Sequence, residues 1–87
     1  MIFVVLGRWK EKLTKEMVDE ATKLIEQMKK DGIKFIAQYW TLGRYDIVSI
    51  VEAKDEKTLR KNLIRWGSLL KTETLVGVQR EEAIKLV

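Results

Sequence analysis

The sequence contains no cysteine and no histidine. Disulfides, thiol nucleophiles, imidazole bases and ordinary zinc sites are therefore excluded at the outset. No apolar run approaches the roughly 20 residues of a membrane span. Met1-Ile2-Phe3 leads directly into strand-forming residues, without the basic stretch that opens an export signal. No membrane attachment and no metal or other cofactor are expected. Amide side chains are scarce as well, with one Asn and three Gln beside twelve Lys and nine Glu. Many Lys and Glu with few thermolabile residues is a hyperthermophile pattern, so the expected setting is the cytoplasm of a heat-adapted prokaryote.

The content that remains, 46% hydrophobic and 34% charged, belongs to a globular chain and excludes disorder by composition. Eighty-seven residues fill one small domain, 1–87, which buries roughly 60–65% of its unfolded surface. Seventeen basic against thirteen acidic residues leave a charge of +4, with the signs interleaved along the chain. The densest basic stretch, Lys54 to Arg65, includes Asp55 and Glu56 and reads as the wet side of a helix. A nucleic-acid binder concentrates its charge on one face or arm, so direct DNA binding is not expected.

Hydrophobic periodicity orders the chain. Residues 2–9 form a nearly continuous apolar run suited to a central strand. Thr14 is a candidate N-cap for a helix to about Lys30, whose apolar stripe is Met17, Val18, Ala21, Leu24, Ile25 and Met28. Asp31-Gly32 ends it. Residues 33–41 and 46–53 read as two strands joined by a tight turn at Leu42-Gly43-Arg44. Asp55 caps a second helix with the stripe Leu59, Leu63, Trp66 and Leu70. Thr72 to Gln79 is a fourth strand, and Arg80 to Val87 a short terminal helix with Ala83, Ile84 and Val87 turned inward.

Right-handed crossovers fold this β-α-β-β-α-β order into a four-stranded antiparallel sheet of order 4-1-3-2, with both helices on one face. The first strand, however, is apolar at both parities: Ile2, Val4 and Leu6 on one, Phe3, Val5 and Trp9 on the other. The third strand repeats this with Ile47 and Val51 against Val48 and Ile50. A sheet face that meets water should be polar, so a second copy is expected to cover the open face in a two-fold dimer.

The topology collects the uncommon residues at one end: Arg8 and Trp9, the turn from Tyr39 to Asp46, Trp66, and the start of the fourth strand with Glu73. Aromatic walls with a few convergent polar groups suit a small-molecule pocket, and arginine suits a carboxylate or phosphate. Structural readings stand beside these. Trp66 lies on a core stripe; Trp9 and Trp40 could seal a rim; Asp46 could accept backbone N–H bonds after a turn; Arg44 could simply be solvated. Glu52 and Glu73 sit at opposite ends of their strands and make no catalytic pair, and Ser49 has no histidine to activate it. No catalytic residue is assigned.

The stretch Tyr39-Trp40-Thr41-Leu42-Gly43-Arg44-Tyr45-Asp46-Ile47-Val48, with Val51-Glu52-Ala53 and the later Thr72-Glu73-Thr74-Leu75, resembles the GYD-domain family of small stand-alone proteins over essentially the whole chain. The resemblance implies an α+β, ferredoxin-like fold of the dimeric α/β-barrel type. The same residues are similar, more distantly, to the ligand-sensing domain of Lrp/AsnC-type feast-famine regulators. That likeness would place Gly43, Tyr45 and Asp46 at an effector and assembly site. Those regulators carry a helix-turn-helix ahead of this domain, whereas here a strand begins at residue 2. The fold also resembles small dimeric-barrel isomerases and cofactor-independent monooxygenases, which often use a histidine.

The sequence thus leads to a homo-oligomer, dimeric through its sheet faces, acting as a non-enzymatic module for a small carboxylate-type molecule. The candidate ligand residues are Arg8, Trp9, Trp40, Gly43, Arg44, Tyr45, Asp46 and Glu73. Arg8 or Arg44 would hold the anion, Trp9 and Trp40 would wall the pocket, and Tyr45 and Asp46 would shape the turn. The alternatives are a small barrel enzyme using Asp46, Glu73 or Tyr45 for proton transfer, and a purely structural assembly protein.

Overall fold

The architecture follows from where each periodic run is started and stopped. In the computed structural model, which describes residues 1–87, β1 (Ile2–Trp9) leads to α1 (Lys15–Lys30), β2 (Lys34–Trp40) and β3 (Ile47–Glu52). α2 (Glu56–Arg65), a 3-10 turn (Trp66–Ser68), β4 (Leu70–Gly77) and a terminal segment holding α3 (Arg80–Ala83) follow. The Thr14 side chain accepts from the Met17 N–H at 3.2 Å, and the Asp55 carboxylate accepts from the Thr58 N–H at 2.8 Å, so both long helices begin with a satisfied cap. Gly32 takes φ +87° after α1, a left-handed geometry that L side chains avoid.

All strand neighbours are antiparallel, in the order β2-β3-β1-β4. β1 is central, paired with β3 from Ile2↔Glu52 to Gly7↔Ile47 and with β4 from Ile2↔Gly77 to Trp9↔Leu70. The register between β2 and β3 shifts between Phe35 and Ala37. Alternation along β1 sends Phe3 and Val5 under the helices, where they meet Ala21, Met28, Val51, Leu59 and Trp66 in one core. Phe3 is 1% exposed and Val51 is completely buried.

The opposite parity builds a second apolar surface. Leu6 pairs with Val48, and Val4 lies between Ile50 and Leu75. Ile2, Val4, Leu6, Val48 and Ile50 are only half-buried in the single chain, as the sequence pattern required of an uncovered face.

Two expectations need correction. β4 begins at Leu70 and ends at Gly77, two residues earlier than the sequence suggested. The reason is that α2 ends at Arg65 and the chain tightens through Trp66–Ser68, which frees Leu70 to pair with Trp9. Leu70 therefore reaches the core from a strand, not from the helical stripe. In the terminal segment Ile84 and Val87 are exposed, not inward, because the segment leaves the sheet at Gly77 and closes its backbone hydrogen bonds within itself.

Candidate functional site

Register places three charged side chains on one face at one end of the sheet. Arg8 pairs with Lys71, and Glu73 pairs with Leu6 two residues along, so all three share the parity of the open face. The β2–β3 turn brings Arg44 and Tyr45 to the same place. Together with Thr72 these residues line an open cleft of about 190 Å³.

The turn is fixed by backbone bonds at its base. Thr41 N–H donates to the Asp46 carbonyl at 2.8 Å, the Thr41 hydroxyl donates to the Tyr45 carbonyl at 2.7 Å, and Asp46 N–H donates to the Gly7 carbonyl at 2.8 Å. The Asp46 carboxylate accepts from Trp9 N–H at 2.9 Å. Asp46 thus ties the turn to the end of β1 through both backbone and side chain. Gly43, at φ +111°, supplies the bend.

From this base Tyr45 reaches across β1, and its hydroxyl donates to Glu73 Oε2 at 2.5 Å. The Glu73 hydrogen bond raises the Tyr45 pKa above its ordinary value, with desolvation and the Glu73 charge adding to it and Arg44 and Arg8 opposing. The Arg44 guanidinium lies 5.6 Å from the centre of the Tyr45 ring, within cation–π range. Three cations against one carboxylate leave the lining at +2. None of Arg8, Arg44 and Lys71 joins an ion pair; the pairs of this chain are Arg60–Glu56, Arg65–Asp31 and Lys85–Glu82. An anion entering the cleft would meet uncommitted donors.

The structure therefore brings together Arg8, Arg44, Tyr45 and Glu73, with Gly43 and Asp46 supporting them from the turn. Trp9 and Trp40 go elsewhere. They pack edge-to-face, centroids 6.0 Å apart and planes at 74°, and Trp9 lies against the core on the helix side of the sheet. Trp66 is buried in that core, its indole N–H donating to Met28 Sδ at 3.3 Å. Lys71 completes the cationic set; the sequence places it at this end, with the start of the fourth strand, but not among the candidate ligand residues. Its pairing with Arg8 was the available signal, hidden by the two-residue offset in where β4 begins.

Asn62 was also missed. It is 1% exposed and donates to Asp31 Oδ2 at 3.0 Å and the Thr58 carbonyl at 2.9 Å, while accepting from Arg65 at 3.1 Å. Its signal was present: Leu59, Asn62, Leu63 and Trp66 follow i, i+3, i+4, i+7. Between sheet and helices lies a second space of about 30 Å³, room for about one water molecule, whose polar lining residues are Gln38, Ser49 and Thr72. No group of three His, Cys, Asp or Glu side chains converges to hold a metal, and no helix is long and apolar enough to cross a membrane.

The chain is 30% identical over 82 residues to the glutamine synthetase and cystathionine beta-lyase binding protein of Thermus thermophilus, covering 87% of this chain and 86% of that one. Among solved structures, the 5-chloro-2-hydroxyhydroquinone dehydrochlorinase of Burkholderia phenoliruptrix is similar in fold. It has a TM-score of 0.63 and 14% identity, covering 94% of this chain and 98% of that one. A dimeric ferredoxin-like protein of unknown function from Thermobifida fusca aligns at TM-score 0.53 and 17% identity, covering 85% of each chain. The GYD domain model matches residues 3–87, and with the Gly43-Arg44-Tyr45-Asp46 turn in place the chain belongs to the GYD-domain family.

Proposed function

We propose that this protein is a non-enzymatic binding module whose cleft captures a carboxylate. The observation that carries the reading is the convergence of Arg8, Arg44 and Lys71 on one open cleft with none of them ion-paired. The Tyr45–Glu73 hydrogen bond fixes one wall, and the Arg44 guanidinium rests over the Tyr45 ring, so this part of the cleft is ordered before a ligand arrives. The module works as a homodimer through the open sheet face, in the cytoplasm of a heat-adapted prokaryote. That setting is supported by the Lys- and Glu-rich, cysteine-free composition.

Native mass spectrometry from gentle to denaturing conditions tests this first, because it reads oligomer mass and any retained small molecule together. Titration calorimetry against a panel of amino acids and dicarboxylic acids follows. Arg44→Ala should weaken any binding about tenfold or more while circular dichroism stays unchanged. Unchanged affinity would remove the cleft from the account.

A second reading has its own support. The Thermus relative is named for binding two enzymes, and here the fully exposed Leu42 sits beside Arg44 at the turn tip. On this reading the carboxylates belong to the surface of a partner enzyme. Surface plasmon resonance with purified glutamine synthetase and cystathionine beta-lyase checks it, and the expected binding weakens with salt. Enzymatic use of the cleft has less behind it. Glu73 holds the Tyr45 hydroxyl protonated, which suits a hydrogen-bond donor and not a base.

A further inference from the structure

The sheet ends at Gly77, and the ten residues beyond it form an arm. Its backbone hydrogen bonds close only within the arm: Glu82 and Ala83 N–H donate to the Gln79 carbonyl, Ile84 N–H to the Arg80 carbonyl, and Val87 N–H to the Ile84 carbonyl. The molecule is elongated. Its radius of gyration is 13.6 Å and its longest extent 46 Å, against about 12 Å expected for a compact chain of this length.

A four-residue helix followed by a 3-10 turn is far below the roughly 12–15 residues at which isolated helices become marginal in water. The arm therefore needs a surface to hold its form. It also presents the means, since Val78, Ile84, Leu86 and Val87 are all exposed, Leu86 at 84%. Arg80 and Lys85 balance Glu81 and Glu82, so the side chains of the arm carry no net charge. An anionic lipid surface or a nucleic acid would ask for excess positive charge. An apolar stripe with balanced flanking charge suits a protein surface.

We propose that this arm docks on a second copy of the chain and clasps the dimer formed through the open sheet face. Continuity selects that occupant. The arm prolongs β4, whose Leu75 belongs to the open apolar face beside Val4, so covering that face with a partner carries both arms onto partner surface. The inference rests on the sheet-to-sheet dimer and adds to it a second, separate contact.

Sedimentation analysis of the full chain and of Ile84→Asp/Leu86→Asp tests it, with Lys23→Glu on the exposed side of α1 as a surface control. Both substituted residues are exposed in the single chain, so the body should fold normally by circular dichroism. The double variant should raise the dimer dissociation constant at least tenfold, with the control unchanged. Hydrogen exchange of the arm amides should slow as protein concentration rises through that constant. An unchanged dissociation constant in the double variant overturns the arm contact. So does concentration-independent protection, which would place the arm in its own chain's groove of Phe3, Leu59, Leu63, Ile64 and Val76. Ile50→Lys separates the two readings. If it yields monomers while the arm variant stays fully dimeric, the sheet contact stands and the arm contact falls. A full chain that is monomeric at every concentration overturns both.

Discussion

Replacing Asn62 by alanine tests how the two long helices are held together. Its amide ties the carboxylate of Asp31, the C-cap of α1, to the Thr58 carbonyl within α2, and its oxygen accepts from Arg65. Three hydrogen bonds are lost at a site that is 1% exposed. At about 1 kcal/mol each, the variant should lose about 2–3 kcal/mol. In a domain of this size that lowers Tm by about 10–20 °C. The loss should also depend on pH. The Asn62 hydrogen bond is the largest cause of a lowered Asp31 pKa, with Gln27, Lys61 and Arg65 acting in the same direction. A carboxyl whose folded pKa is depressed contributes stability present above its unfolded pKa and lost as pH falls through the folded one. The gap between parent and variant should therefore be full at neutral pH and narrow below the ordinary 3.8. Thermal and urea denaturation at one fixed protein concentration measure both effects. A variant within about 0.5 kcal/mol of the parent at neutral pH would show that the network carries little, and the reasoning would fail.

Two further substitutions probe the cleft. Gly43→Ala forces a side chain into φ +111° although no atom lies within 4 Å of the added carbon. The cost is then backbone strain alone, about 1–3 kcal/mol, read from urea unfolding; a neutral result would mean the turn relaxes freely. Glu73→Gln removes the charge that holds the Tyr45 proton. Tyrosinate absorbance followed through an alkaline titration should then show one tyrosine ionising at lower pH than in the parent. An unshifted curve would mean that the hydroxyl does not meet Glu73 in solution.

What the sequence made legible was set mostly by local physics. Thr14, Asp55 and Gly32 mark helix ends because capping and positive φ are decided within a few residues. The strand order followed from crossover handedness, and the two-sided apolar character of β1 and β3 was visible as residues at both parities. The start of β4 was less accessible. Leu70 continues a helical spacing from Leu59, Leu63 and Trp66, and nothing local says that the helix tightens at Trp66 and releases Leu70 into a strand. Pairing with Trp9 decides it. Ala83, Ile84 and Val87 were spaced to face inward, yet Ile84 and Val87 stand exposed in the single chain, so periodicity identified an apolar stripe without identifying what it would meet.

The same limit explains why the aromatic end of the molecule is not a single pocket. Topology gathers Arg8, Trp9, Trp40, Arg44 and Tyr45 at one end, but consecutive strand residues point to opposite faces. Arg8 and Trp9 are neighbours in sequence, and the sheet stands between their side chains. Trp9 follows Phe3 and Val5 to the helix side and packs on Trp40. Arg8 follows Leu6 to the open side, where Lys71, Tyr45, Arg44 and Glu73 complete a polar cleft. The tryptophans thus stiffen the end of the sheet, while the cations lie on the face that a second copy would cover. A partner seated on Leu6 and Val48 would come to the margin of the cleft. Any ligand held by Arg8 and Lys71 would then be bound beside the dimer contact, and binding and assembly would be thermodynamically linked.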